Sequence, residues 1–219
     1  MKLFVPIKEN SNRVPNKNFR DFGGVPLYVH TLSRLKGFEV YVDTDSKKIL
    51  DEIERNPCLR HVKGYERNPD LLGDDVSVCK LISDFIVQHL ISGPICQVHV
   101  TSPFIQPKTL RSAADMLDLY DSVASCDVIQ ERLLKKQKGI MKPVNHDPAI
   151  LLPTQDLEKL YRENSLFYIF DADKFMTSGK RIGSNPCFYE TSFPESLDID
   201  YEDDWNTCVG VYKAGLGGL

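Results

Sequence analysis

Residues 3–37 open with Leu3-Phe4-Val5-Pro6-Ile7. They continue through Lys8-Glu9-Asn10-Ser11-Asn12-Arg13-Val14-Pro15-Asn16-Lys17-Asn18-Phe19-Arg20 to a Gly23-Gly24 turn, and then from Pro26 through Leu35 to Gly37. A short apolar run bounded by polar residues reads as a buried strand. Pro26 suits a first helical position because its missing N–H has no intrahelical partner there. Apolar residues at 27, 29, 32 and 35 then mark one face of a helix that Gly37 closes. Strand, polar loop, helix is the opening unit of a layered α/β domain.

The same alternation continues outward. Phe38 to Val42 reads as a second strand, and Asp45 as the cap of a helix carrying Ile49, Leu50 and Ile53. A short strand is expected near His61 to Lys63. Asp74-Asp75 is expected to open the strongest helix, whose apolar positions are Val78, Leu81, Ile82, Phe85, Ile86 and Leu90, with His89 on the same face and Gly93-Pro94 stopping it. Ile95 to Val100 predicts a strand, Pro107 to Leu117 a helix and Asp121 to Cys126 a strand. The segment 127–163 lacks sustained periodicity and contains Lys135-Lys136-Gln137-Lys138, so it reads as an excursion, a hairpin arm. The core pattern resumes at Leu166 to Phe170. A helix near Asp173 to Met176, a strand near Phe188 and a closing helix from Asp200 to Tyr212, with Trp205, Val209 and Tyr212 on one face, complete the chain. This pattern predicts one three-layer α/β/α domain over 1–219 with a mostly parallel sheet. Ligands of such folds sit beyond the carboxyl ends of the strands, which directs attention to 8–18, 43–45, 101–105 and 195–204.

The 219 residues are 42% hydrophobic and 26% charged, which excludes disorder as the main state. With 27 Lys and Arg against 31 Asp and Glu, the net charge of −4 argues against nucleic-acid wrapping. No apolar stretch is long enough for a membrane span, and the opening apolar run is too short for a secretion signal. The cysteines at 58, 79, 96, 126, 187 and 208 have no zinc-type spacing. They read as buried free thiols of a cytoplasmic protein.

Three segments carry chemistry. The loop after the first strand gathers Lys8, Ser11, Arg13, Lys17 and the amides of Asn10, Asn12, Asn16 and Asn18. Backbone N–H groups and cations in such a loop suit a phosphate; by composition alone, a solvated basic loop fits equally well. It is not a Walker loop. Leu197-Asp198-Ile199-Asp200 places two carboxylates on one side of an extended chain, a donor set suited to Mg²⁺. Asp203 and Asp204 fit the acidic first turn of a helix, and Asp200 fits a cap as well as a ligand. Tyr161-Arg162-Glu163-Asn164-Ser165 is by itself a surface arginine before a strand. No G-x-G-x-x-G follows the first strand, which argues against a dinucleotide-dependent dehydrogenase.

Taken in order, these segments resemble the acylneuraminate cytidylyltransferases, the CMP-sialic acid synthetases. Ser11, Lys17 and Asn18 match the opening A-R-x-G-S-K-x-x-x-x-K-N, and Pro6, Arg13 and Pro15 match positions common there. Asp43-Thr44-Asp45, Thr101-Ser102-Pro103, Tyr161-Arg162-Glu163-Asn164, Arg181-Ile182-Gly183 and Leu197-Asp198-Ile199-Asp200 resemble further motifs, so the likeness runs from residue 3 to about 212. The chain departs from the pattern in carrying Lys8 for arginine, Asn10 for glycine, Asn12 for lysine, His99-Val100 for Gln-Pro, Ile105 for a frequent arginine, and Ser165 for glycine.

The resemblance implies a Rossmann-like nucleotidyltransferase fold with 127–163 as a dimerisation arm, and hence a homodimer. It implies transfer of CMP from CTP to the anomeric hydroxyl of an acidic 3-deoxy-2-keto sugar, with release of pyrophosphate. Lys8, Lys17 and Asp200 would carry catalysis. Lys8, Ser11, Arg13, Lys17, Asn18, Arg67 and Ser77 would bind the nucleotide, and Arg162, His99 and Thr101 the sugar. Asp198 and Asp200 would hold Mg²⁺. A sugar nucleotidyltransferase with another base or acceptor, and a non-catalytic nucleotide-binding homologue, are the competing readings.

Overall fold

The structure, a computed structural model, describes residues 1–218. Its centre is a sheet built from β1 (Lys2–Ile7), β2 (Glu39–Thr44), β3 (Val62–Glu66), β4 (Pro94–Val98), β5 (Ser122–Ile129), β8 (Leu160–Asp171) and β9 (Pro186–Glu190), while β6 (Leu134–Gln137) and β7 (Ile140–Pro143) form a separate hairpin. The strand order is β3-β2-β1-β4-β8-β5-β9. β8 runs antiparallel to both neighbours and the other pairings are parallel. The sheet is therefore mostly parallel, and the carboxyl ends of β1, β2, β4, β5 and β9 share one edge with the start of β8.

The two-residue period of a strand sorts the core. Leu3, Val5 and Ile7 face one layer with α1 (Leu27–Arg34), α2 (Lys47–Arg55) and α4 (Pro107–Asp115). Phe4 and Tyr41 face the other, with α3 (Val78–Gln88) and α5 (Ala172–Ser178); the Phe4 and Phe85 rings stack at 4.9 Å. This is the expected α/β/α, Rossmann-like arrangement. A third apolar cluster joins Phe22, Leu27, Phe104 and Ile199 to Trp205, Cys208 and Val211 of α6 (Glu202–Lys213). It matters for function because it fastens the chain's end to the loop that follows β1. Arg20 reinforces this junction, donating two 2.7 Å hydrogen bonds to Glu202 while its guanidinium lies 4.4 Å from the Trp205 ring centroid.

Several expectations are corrected. Asp45 does not cap α2: Ser46 occupies the cap position without a side-chain bond, and Asp45 accepts the Glu9 N–H at 2.7 Å, tying β2 to the first loop. Asp74-Asp75 does not open α3. The helix begins at Val78, where the Ser77 hydroxyl accepts the Cys79 N–H. Asp200 is not the cap of α6: Tyr201 holds that position, and Asp204 reaches back to the N–H groups of Asp200 and Tyr201 at 3.1 and 2.8 Å. β8 starts at Leu160 rather than Leu166, because β5 and β8 stay paired out to Ile129 and Leu160. The ladder shifts register between Ala124 and Cys126, next to Ser165, whose φ of 58° is left-handed where the resembled motif has glycine. The excursion from the sheet therefore spans 130–159. Asn145 organises it, accepting the Leu133 N–H and donating to the Glu131 and Glu158 carbonyls.

All six cysteines are free, with Cys96, Cys126 and Cys208 buried, Cys79 and Cys187 partly buried and Cys58 exposed. Among the described residues, no helix is long and apolar enough to cross a membrane.

Candidate active site

The loop after β1 lines a cleft of about 260 Å³ at the carboxyl edge of the sheet, together with Asp74, His99, Val100 and Thr101. Lys8, Ser11, Arg13, Lys17 and Asn18 all lie on its wall. A second cavity of about 480 Å³ carries Arg162, Asp198 and Asp200, and extends to Tyr201 and Asp204. The two are joined by ion pairs: Asp200 Oδ1 is 2.6 Å from Arg13 Nη2 and 4.0 Å from Lys17 Nζ.

The acidic segment is held from both sides by its middle residue. Ile199 is fully buried and donates its N–H to the Thr101 carbonyl at 2.9 Å, while its carbonyl accepts from Lys17 Nζ. Burying Ile199 in an extended stretch turns its two neighbours outward, so Asp198 and Asp200 line the same cavity. Ser102 donates to Asp198 Oδ1 at 3.3 Å. Upstream, Glu195 accepts the Gln106 N–H and the Thr109 hydroxyl, both at 2.8 Å, stitching residues 195–200 to the start of α4.

Charge is arranged unevenly. Lys17 is only 7% exposed. Burial lowers its pKa, and the Asp198 and Asp200 carboxylates oppose that drop. Burial likewise holds the His99 imidazole below its ordinary value, chiefly against the Asp198 charge. Lys8 donates to the Gly73 carbonyl at 2.9 Å and to Asp74 Oδ1 at 3.0 Å, and Asn12 donates to Asp74 Oδ2 at 2.9 Å. These two bonds depress the Asp74 carboxyl. Asn18 braces the loop from beneath by donating to the Lys8 carbonyl at 2.8 Å.

Two expected nucleotide residues stand apart from this wall. Arg67 is 2% exposed; its Nε is paired with the fully buried Asp43, and its Nη2 reaches the Ile7 and Asp43 carbonyls. The guanidinium thus ties the ends of β1 and β2 from within. Ser77 lies at the start of α3 as its cap. Arg162 reaches the second cavity while pairing with Asp127 at 2.6 Å. Sequence reasoning gives no site role to Asp74, Ser102, Gln97 or Arg181, although Ser102 and Arg181 fall within matched motifs. Asp74 reads locally as a helix opener, and its contact with Lys8 spans 66 residues. Ser102 sits inside a quoted motif, but its partner lies 96 residues on.

The carboxylate pair fits a magnesium ion by donor chemistry: two hard oxygen ligands on one cavity wall beside the cationic loop, leaving further coordination positions open. Among the described residues, no group of three or more His, Cys, Asp or Glu side chains is arranged to hold a metal, so a site rich in protein ligands is not present there.

The N-acylneuraminate cytidylyltransferase A of Danio rerio is 30% identical over 213 residues, 94% of this chain and 49% of its own length. The CMP-N,N'-diacetyllegionaminic acid synthase of Legionella pneumophila is 26% identical over 216 residues, covering 92% of this chain and 91% of that protein. The N-acylneuraminate cytidylyltransferase of Streptococcus agalactiae is 23% identical, and the match spans 52% of it. The chain thus spans about half the length of the fish and streptococcal relatives. Among solved structures, CMP:2-keto-3-deoxy-manno-octonic acid synthetase complexed with CTP superposes over 98% of this chain and 99% of that one, with a TM-score of 0.68 at 15% identity. A 4-diphosphocytidyl-2C-methyl-D-erythritol synthase superposes over 96% of this chain and 97% of that one, also with a TM-score of 0.68, at 10% identity. These two likenesses show the fold. The cytidylyltransferase family model matches residues 3–213, which takes in the cationic loop, the Asp198-Asp200 pair and the strands that carry them; the chain therefore belongs to the cytidylyltransferase family.

Proposed function

We propose that the protein transfers CMP from CTP to the anomeric hydroxyl of an acidic 3-deoxy-2-keto sugar of the sialic acid type, releasing pyrophosphate. The observation that carries this reading is the pinning of Asp198 and Asp200 directly beside the cationic loop, with Asp200 Oδ1 2.6 Å from Arg13. The relatives that act on acylneuraminic and legionaminic acids support the acceptor class.

Phosphoryl transfer of this kind is mostly positioning and charge neutralisation. Lys8, Ser11, Arg13 and Lys17 grip the triphosphate, and Asn18 keeps their loop in shape. Lys17 is the fixed cation: it is buried and anchored on the Ile199 carbonyl, so its charge costs no reorganisation when phosphate arrives. Arg13 is half-exposed and can exchange Asp200 for a phosphate oxygen. Asp198 and Asp200 would hold magnesium, which when bound neutralises phosphate charge and makes the sugar hydroxyl more acidic. Arg162, Thr101 and His99 meet the acidic sugar.

The arm at 130–159 exposes Leu134, Ile140, Met141, Ile150 and Leu151. An apolar surface of this kind favours a second copy as its cover, and we assign the protein as a cytoplasmic homodimer. The deciding experiment incubates it with each of four NTPs, Mg²⁺ and a panel of sialic, legionaminic, pseudaminic and eight-carbon keto-sugar acids, and follows pyrophosphate. CTP-specific, Mg²⁺-dependent release with one acid is expected. Release with another base, or tight CTP binding with no turnover across the panel, would overturn the assignment.

A further inference from the structure

Behind His99, a line of side chains that the transfer scheme leaves unused runs from the cleft into the sheet. Gln97, on β4, is fully buried. Its Oε1 accepts from Arg181 Nη1 at 2.7 Å, and its Nε2 lies 2.8 Å from His99 Nε2. The Arg181 guanidinium is itself held over the Tyr168 ring, 3.9 Å from the centroid.

Donor and acceptor logic fixes the rest. A guanidinium only donates, so the Gln97 atom facing Arg181 is its oxygen and its NH₂ group faces His99. That NH₂ also only donates, so His99 Nε2 accepts. An imidazole that accepts at Nε2 is neutral and carries its proton on Nδ1. Among the described residues, the ring's hydrogen bonding ends at Gln97, and His99 lines the cleft beside Lys17 and Thr101.

We propose that Arg181, acting through Gln97, is a positioning residue that fixes His99 as a donor at Nδ1, so that His99 recognises an anionic oxygen of the bound ligand, either the sugar carboxylate or a phosphate. The ligand half of this statement rests on the transfer reading above; the tautomer half stands on the protein alone. A glutamine in place of His99 presents a donor and an acceptor together. His99 held in this way presents a donor only, and so selects against a ligand atom that must itself donate.

The test is long-range ¹H–¹⁵N spectroscopy of the histidine rings in ligand-free protein, with His99→Gln used to assign the signal. The expected pattern is a single Nδ1–H tautomer in the natural protein. Arg181→Met frees the Gln97 amide to turn and should give a mixed or Nε2–H tautomer. Arg181→Lys keeps a donor-only group and should restore the natural pattern. An Nε2–H tautomer in the natural protein, or an unchanged one in Arg181→Met, would overturn the proposal. The two ligand sources separate by titration. In Arg181→Met, a roughly tenfold weaker Kd for the acidic sugar added to CTP-loaded protein identifies the carboxylate, and the same loss for CTP alone identifies a phosphate. No change in either defeats the recognition claim. Absent turnover in the natural protein with the tautomer pattern intact would count against the transfer chemistry alone.

Discussion

Among the described residues Arg67 is the one cation paired with Asp43 in the interior, and replacing it with methionine removes that charge. Asp43 is fully buried, its Oδ1 is paired with Arg67 Nε, and its Oδ2 has no partner among the described residues. Arg67 also donates to the Ile7 and Asp43 carbonyls at 3.3 and 3.2 Å. Breaking a buried pair from one side leaves an uncompensated charge and costs about 3–5 kcal/mol. For a domain of this size each kcal/mol lowers Tm by about 2–4 °C, so Arg67→Met should melt roughly 6–20 °C lower by circular dichroism. The double variant Asp43→Leu/Arg67→Met, which leaves no charge behind, should recover most of the loss. The pH dependence has a defined sign. Burial raises the Asp43 carboxyl above its ordinary value and Arg67 opposes that rise, so losing Arg67 raises it further. A carboxyl raised in the folded state takes up its proton preferentially there. Its stability contribution is complete below the unfolded value of about 4 and is lost as pH climbs through the folded value. The Arg67→Met deficit should therefore shrink on going from pH 8 to pH 5. An unchanged Tm together with a weakened CTP affinity would refute this reasoning and return Arg67 to the nucleotide-facing role that the motif resemblance implies.

Asp200→Asn should retain the fold and CTP binding but lose a hundredfold or more in Mg²⁺-dependent turnover, roughly the several kcal/mol that a catalytic cation supplies; near-natural turnover would remove Asp200 from the metal site. Asp74→Asn frees Lys8 and Asn12 from a carboxylate that competes with phosphate. Exposed pairs of this kind contribute little, so calorimetry should show CTP binding tighter by a few-fold at most, and weaker binding would contradict the idea of competition. Ser102→Ala should lower kcat by about tenfold through a loosened Asp198, with little change in Tm, since the hydroxyl's one carboxylate contact is 3.3 Å long. Replacing residues 134–143 with a short Gly-Ser linker should convert a gel-filtration dimer into a single-chain species, whereas an intact dimer would place the interface elsewhere.

Local sequence carried most of the fold. The opening strand, the helix from Leu27, the helix ending before Gly93-Pro94 and the helix led by Pro107 follow from hydrophobic period and from Pro and Gly punctuation, which act within a few residues. The helices expected to start at Asp45, Asp74 and Asp200 begin later, because an aspartate before an apolar run suits a cap and a long-range contact equally well. Asp45 and Asp74 each serve a loop more than 30 residues away. The same division runs through the site. The order of the cationic loop, Thr101-Ser102-Pro103 and Leu197-Asp198-Ile199-Asp200 pointed to a phosphate-handling cleft, since each motif's chemistry is set by its own residue types. Whether those motifs meet was decided only in three dimensions. The strand order puts β1 beside β4, and the Ile199 backbone then bonds Thr101 on one side and Lys17 on the other, bringing Asp200 within 4.0 Å of an amine 183 residues earlier. Tertiary packing likewise turned Arg67 inward to Asp43 and oriented Gln97 between Arg181 and His99. A cation or an amide carries no local mark of its partner, and only the folded chain fixes which acceptor is left for it.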